Sequence, residues 1–276
     1  MARIINKDTI VCMSLSARPS NFGTRFHNFL YKKLDLNYLY KAFTTNNLKD
    51  AIYGIKALSI RGCAISMPYK QACIEFIDEL DVSVQSIQAV NTIVNTDHYL
   101  KAYNTDYIAV EKLIKANHIS NNTPFILKGS GGMANAVIGA FYDAGFKHGI
   151  VCARNQQKGE ALAKRYNYQW QKDESTITPE QAKLIINVTP IGMQGGIEAD
   201  QLSFSEAMIN QADIIFDVVA LPVETPLIKF AKKLNKTIIS GADVAVLQAV
   251  EQFILYTGVT PSEELIQQAG EFARQG

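Results

Sequence analysis

The chain has 276 residues, 47% of them hydrophobic and 19% charged, with a formal net charge of +1. That length exceeds one small core and implies two ordinary domains or one large α/β unit, and the near-neutral balance gives no electrostatic case for nucleic acid or an anionic membrane as partner. The opening MARIINKDTIVCMSLSARPS carries Arg3, Lys7 and Asp8 and no long apolar stretch, so it does not read as a signal peptide, and no segment is apolar for long enough to span a bilayer.

Residues 9–13 (TIVCM) predict a first strand, and Phe22, Phe26, Phe29, Leu30 and Leu34 share one face of a helix over 22–34. A short strand is expected near NYLYKAF, then a helix over LKDAIYGIKAL with Leu48, Ile52, Ile55 and Leu58 as its core stripe. Residues 62–67 read as a buried strand stopping at Pro68, which has no N–H for a ladder. A helix is expected over 70–80, and VNTIVN with YLKAYN forms a hairpin through Thr96, Asp97 and His98. A second unit starts near residue 104. It has a helix over 106–117, the loop SNNTP, the strand PFILK, then a glycine turn and a helix ending at Gly145. The strand GIVCAR, the helix QKGEALAKRY and the strands KLIINV, DIIFDVV and KTIIS follow. Strands alternating with helices predict a parallel, doubly wound sheet. The last helices cover ADVAVLQAVEQFILYTG and SEELIQQAGEFARQ.

Cys12, Cys63, Cys73 and Cys152 form no CxxC, and without an export signal they read as reduced structural thiols of a cytoplasmic protein. The histidines show no HExxH spacing, so no metal site is expected. The triplets Asn121-Asn122-Thr123 and Asn187-Val188-Thr189 match a glycosylation signal by chance on this reading.

Gly129-Ser130-Gly131-Gly132-Met133-Ala134 lies between a predicted strand and helix and matches GxGxxA, a dinucleotide fingerprint. Gly129 permits the tight turn, Gly131 lets the backbone approach a pyrophosphate, and Ala134 keeps helix and strand close. The helix N-terminus offers oriented N–H groups to the anion. An NAD site carries Asp or Glu at the end of the next strand for the ribose 2′-OH. Here Ala153-Arg154-Asn155 stands there with Lys158 soon after, two cations and no carboxylate, which favours a 2′-phosphate and therefore NADP.

Several fragments together resemble the shikimate dehydrogenase family, in particular its shikimate dehydrogenase-like branch. They are Ser14-Leu15-Ser16 with His27-Asn28, Met67-Pro68-Tyr69-Lys70, Val90-Asn91-Thr92, Asn104-Thr105-Asp106, Gly129 to Gly132, Asn187 to Met193 and Gln248-Ala249. They occur in the family's order and span nearly the whole chain. The resemblance implies an α/β fold of two domains with a central cleft: a substrate domain over 1–103 plus 240–276, and a Rossmann-like NADP domain over 104–239. It implies an oxidoreductase interconverting shikimate and 3-dehydroshikimate with NADP, a small-molecule enzyme acting as a monomer or homodimer.

Carried over by position, Lys70 and Asp106 become the catalytic pair. Ser14 and Ser16 hold the substrate carboxylate, Ser66 takes a position usually held by threonine, and Asn91 and Gln248 bind substrate hydroxyls. Asn187, Thr189, Gly192 and Met193 match the loop near the nicotinamide, and Val218 and Gly241 count among the cofactor-binding residues. Carbonyl reduction needs a hydride on carbon, which the cofactor supplies, and a proton on oxygen. An ammonium supplies the proton and stabilises the alkoxide. Solvated lysine, with a pKa of about 10.4, is a poor base in reverse; partial burial lowers that value and a carboxylate holds the side chain in place. Each residue also has a plainer reading. Lys70 opens a helix in solvent, Asp106 is a first-turn acid, the serines and Asn91 sit in turns, and Gln248 is one polar residue on an apolar helix.

The chain departs from the family pattern in three places. ARPSNFGTRF intervenes between Ser16 and His27, bringing Arg18 and Arg25 within reach of the carboxylate pocket; Ala220 stands where the family has tyrosine; and Ala153-Arg154-Asn155 replaces Asn-Arg-Thr. They leave open the same chemistry on quinate, an aminated analogue or another carboxylated polyol, and also a nucleotide-sensing regulator without turnover.

Overall fold

The structure is a computed structural model describing residues 5–85 and 87–275, with Pro179 in backbone only. It divides into two compact units: the first runs to Thr105 and resumes at Val246, and the second is Asp106–Ala245.

The first unit begins with β1 (Ile10–Leu15), α1 (Phe22–Lys33), β2 (Tyr38–Phe43), α2 (Leu48–Ala57) and β3 (Gly62–Ile65). It continues through β4 (Glu79–Leu80), α3 (Val82–Gln85), β5 (Thr92–Thr96) and β6 (Tyr99–Tyr103). The sheet order is β2-β1-β3-β5-β6-β4. β1 runs parallel to β2 and β3, whereas β5 is antiparallel to β3 and β6. Alternation along β1 sends Cys12 to one face and Met13 and Leu15 to the other, as the period of two requires. Asp97 and His98 both have positive φ, 51° and 66°, the geometry a two-residue hairpin loop needs to match strand twist. Asn47 caps α2 by accepting from Asp50 N at 3.1 Å.

The helix expected over 70–80 does not form. Residues 67–73 turn, Ile74–Phe76 makes one 3₁₀ turn, and Glu79–Leu80 pairs with Lys101–Ala102. Bonds from Ile74 N to Gln71 O and from Phe76 N to Cys73 O close the tight turns, and Asp78 and Leu100 bond in both directions. The apolar spacing of CIEFI suits such a turn as well as a helix, and edge pairing supplies the backbone partners that a helix would supply. β3 also ends earlier than expected, at Ile65.

The second unit contains α4 (Thr105–Ala116, from its second residue), β7 (Phe125–Lys128), α5 (Gly132–Asp143), β8 (Gly149–Cys152), α6 (Gln156–Arg165) and β9 (Gln169–Gln171). Then come β10 (Leu184–Asn187), α7 (Glu206–Gln211), β11 (Ile214–Asp217), α8 (Pro226–Lys233) and β12 (Thr237–Ser240). All pairings are parallel in the order β12-β11-β10-β7-β8-β9, confirming the doubly wound sheet. The order reverses between β7 and β10, and in such sheets ligands bind outside the strand ends at that switch. β9, α7 and α8 escape the sequence reading. β9 is a three-residue edge strand, α7 a six-residue helix, and α8 a short helix started by Thr225 as cap and Pro226 in its first turn.

α9 (Gly241–Thr257) and α10 (Glu263–Arg274) complete the chain, and from Val246 onward they belong to the first unit. There Phe253 and Tyr256 pack with Phe26, Leu30 and Tyr31 of α1 in one buried cluster, each such side chain contributing about 1.5–3 kcal/mol. Among the described residues no helix is long and apolar enough to cross a membrane.

Candidate functional site

In the first unit, residues from β1, β3 and the segment before β5 meet at one sheet end. Ser66 N donates to Leu15 O at 3.0 Å and Ala17 N to Met67 O at 3.1 Å, which ties the Ser14–Ser16 segment to the turn after β3. Ile65 N donates to Asn91 O at 2.7 Å, and Val90 N donates to Lys70 O at 2.8 Å. Ser14, Ser16, Ser66, Lys70 and Asn91 are thereby held together by backbone bonds. Ser16 is buried, Ser66 exposed and Lys70 half-buried. Burial pushes the pKa of the Tyr40 phenol up, and the Ser14 hydroxyl beside it pulls it back.

Asn91 is wholly buried. Its Oδ1 accepts from Thr105 N at 2.7 Å, Thr92 Oγ1 at 2.9 Å and Thr105 Oγ1 at 3.2 Å. Its Nδ2 meets no acceptor among the described residues. Buried amides are nearly always paired, so this donor is the feature of the first unit that points to a ligand. Gln248 is half-buried on α9, but the carboxamide that donates to Thr92 Oγ1, at 3.1 Å, belongs to Gln252 one turn later. Sequence reasoning missed Gln252; its signal was a second glutamine four residues on, on the same helix face.

His27 is fully buried, stacked on Tyr40 at 4.4 Å, with neither ring nitrogen hydrogen-bonded among the described residues. Burial drives its pKa down to about 3; the Gln252 carboxamide, near but outside bonding geometry, opposes this without reversing it. Arg25 does not serve a carboxylate pocket. Its Nε and Nη2 donate to Phe272 O at 3.1 and 2.9 Å and its guanidinium lies 4.1 Å over the Phe272 ring. Half of the ARPSNFGTRF segment is the first turn and more of α1, and Arg18 is exposed.

In the second unit, the turn after β7 opens with Gly129 at φ +124°, a conformation that favours glycine. Gly131 and Gly132 have nothing within 4 Å of where a Cβ would stand, so the backbone is open to an approaching pyrophosphate. Ala134 is fully buried and Met133 half-buried. The groove here measures about 390 Å³ and includes Gly129, Ser130, Arg154, Asn155 and Thr189, along with Lys128, Lys172, Asp173 and Glu174, which the motif did not flag; Lys128 pairs with Glu174 at 3.4 Å. These residues fit a phosphorylated dinucleotide. Arg154 is 79% exposed and pairs with Glu198 at 3.5 Å. Asn155 caps α6, its Oδ1 accepting from Lys158 N at 2.9 Å, which occupies that oxygen.

The loop after β10 is fixed by Asn187. Its Oδ1 accepts from Thr189 Oγ1 at 2.6 Å and Thr189 N at 3.1 Å; its Nδ2 donates to Asp217 at 3.0 Å and Ile191 O at 3.2 Å. Asp217 also accepts from Thr225 Oγ1 at 2.5 Å and Val219 N at 3.1 Å. Burial raises the Asp217 carboxyl above its usual range, against the pull of the Thr225, Val219 and Asn187 bonds. Asp217 and Thr225 were missed; the signal was a carboxylate ending the apolar run DIIFD, where an unpaired charge is costly. Val218 N donates to Asn187 O at 3.0 Å. A Cβ on Gly241 would stand 2.4 Å from Val218 O, so only glycine permits that approach. Gly192 holds φ +85° and Met193 is exposed.

Comparison with known proteins agrees with the family expected from the sequence. Residues 21–93 match the shikimate dehydrogenase substrate binding domain. The chain is 55% identical over 98% of its length to a shikimate dehydrogenase-like protein of Haemophilus influenzae, covering 99% of that protein. It is 33% identical to shikimate dehydrogenase (NADP(+)) of Methanocaldococcus jannaschii, covering 90% of this chain and 91% of the relative. A solved structure of a shikimate 5-dehydrogenase-like protein superposes with a TM-score of 0.96 at 54% identity, covering 99% of this chain and 100% of that one. The chain belongs to the shikimate dehydrogenase family.

Proposed function

We propose that the protein is an NADP-dependent dehydrogenase that interconverts a carboxylated cyclic alcohol and its ketone, with shikimate and 3-dehydroshikimate as the first pair. The observation that carries this reading is the buried Asn91 amide, whose Nδ2 lacks an acceptor among the described residues while Val90 N grips the Lys70 carbonyl beside it. A buried donor of this kind is costly unless a ligand completes it, and a substrate hydroxyl does so.

On this reading the Ser14, Ser16 and Ser66 hydroxyls receive the substrate carboxylate, and Asn91 and Gln248 fix its hydroxyls. The Lys70 ammonium gives its proton to the oxygen that becomes the alcohol and withdraws it in reverse. Asp106, buried in the first turn of α4, is the acid of the catalytic pair on this reading. The cofactor supplies the hydride when bound. Gly129 to Ala134 seat its pyrophosphate, Arg154 and Lys158 its 2′-phosphate with Asn155 setting the α6 terminus, and Asn187, Thr189, Gly192, Met193, Val218 and Gly241 border the nicotinamide. Four free, buried cysteines support a reducing, cytoplasmic setting.

The test is absorbance of reduced cofactor when purified protein and NADP⁺ meet shikimate, quinate, an aminated analogue and related acids. Turnover on shikimate above the others is expected. Tight NADP⁺ binding without turnover on any acid would overturn the enzymatic reading in favour of a nucleotide sensor. A sensor needs the groove and has no use for the Lys70–Asn91 arrangement.

A further inference from the structure

The end of β8 lacks the acidic residue of an NAD site, yet the fold brings a carboxylate to the same place from another segment. Glu198 Oε1 lies 3.5 Å from Arg154 Nη1, and Glu198 is only 27% exposed where Arg154 is 79% exposed. Its position is built by backbone. Gly192 N donates to Glu198 O at 2.9 Å and Gln201 N to the same oxygen at 3.2 Å, while Gln194 N reaches Leu221 O at 2.9 Å. Gly192 and Gly195 take φ of +85° and +77°, which folds the segment back. The member whose backbone is anchored is the acid, and the solvated member is the arginine.

We propose that Glu198 is a specificity-determining residue of the cofactor site, sharing Arg154 with a 2′-phosphate and offering an acceptor to an unphosphorylated ribose. This rests on the reading that Arg154 meets the 2′-phosphate. A phosphomonoester carries about −1.5 to −2 charges at neutral pH, so placing it on Arg154 breaks the ion pair and sets two anions side by side. A ribose 2′-OH has the opposite need: a carboxylate is the acceptor NAD sites provide. One acid therefore weakens NADP and strengthens NAD, and the chain takes both cofactors with a narrower preference than Arg154 alone would impose.

Isothermal titration of NADP⁺, NAD⁺ and adenosine 2′,5′-bisphosphate into the wild type, Glu198→Gln and Arg154→Ala tests this without reference to turnover. In Glu198→Gln, NADP⁺ and the bisphosphate should bind roughly three- to tenfold tighter, as expected for removing one screened like charge at a few ångströms. NAD⁺ should bind about two- to fivefold weaker through loss of one solvent-exposed hydrogen bond. The NADP⁺ gain should shrink in about 1 M salt, where the Debye length is near 3 Å. An unchanged ratio of the two affinities, or equal shifts for both, overturns the proposal while leaving the phosphate role of Arg154 intact. Arg154→Ala should weaken NADP⁺ far more than NAD⁺; equal losses would retire the phosphate reading and this proposal with it.

Discussion

Asn91 and Asn187 are both fully buried, one in each unit, and both use the side-chain carbonyl to collect the N–H and hydroxyl of a single threonine, Thr105 or Thr189. They differ in the other half of the amide. Asn187 Nδ2 is satisfied by Asp217 and Ile191 O, whereas Asn91 Nδ2 meets no acceptor among the described residues. A completed amide fixes a loop. An incomplete one, costing roughly 1–3 kcal/mol, keeps a donor for something else. Burial is equal at the two positions, so the hydrogen-bond inventory alone separates scaffold from candidate ligand contact.

The largest effect expected is at Lys70, beside the incomplete amide. Lys70→Ala should lower kcat by about 10²–10⁴, the range of a positioned proton donor, with the melting temperature nearly unchanged; a drop below tenfold would remove the catalytic assignment.

The same substitution at the two asparagines probes the contrast directly. Asn187→Asp replaces the donor facing the Asp217 carboxylate with a second carboxylate oxygen and should destabilise about 2 kcal/mol more than Asn91→Asp in urea unfolding. Asn91→Asp preserves the acceptor for Thr105 and should act chiefly on KM for the hydroxy acid. Equal stability losses would abolish the distinction.

Acid should move the units in opposite directions. The neutral, buried His27 contributes stability that is present above about pH 6.5 and is lost as pH falls toward its folded value of about 3. The loss approaches 2 kcal/mol by pH 5 and should flatten in His27→Phe, as read by denaturation at pH 7 and 5. Asp217 runs the other way. With its folded pKa raised from 3.8, its contribution is full below the unfolded value and disappears as pH rises through the folded one. Hydrogen exchange at pH 5 should show lower protection around His27, and protection around Asp217 should rise as pH falls through its raised folded value, an effect that Asp217→Asn removes. The smallest effect is expected at Gln252→Ala, about 1 kcal/mol from one buried bond to Thr92.

Much of this architecture was legible in the chain. The strands of the second sheet are short apolar runs between turn signals because a parallel sheet is covered on both faces. The glycine turn was legible because few residues but glycine accept its dihedrals. CIEFI was misread as helix, since its spacing fits two kinds of turn and only Lys101–Ala102 across the sheet decides between them. The edge strand QWQ, with one apolar residue, carries too little pattern to announce itself.

By itself, the order of residues determined the family, the two-part α/β plan and the positions of the serines, Lys70 and Asn91, because periodicity and motif order are properties of the chain. Tertiary structure decided what each polar group is joined to. It gave Thr92 to Gln252 and committed Arg25 to the Phe272 carbonyl. It placed Asp217 under Asn187 and brought Glu198 to Arg154, 44 positions earlier in the chain. Hydrogen bonds and ion pairs act over about 3–4 Å, and such distances between remote residues exist only once the backbone has closed.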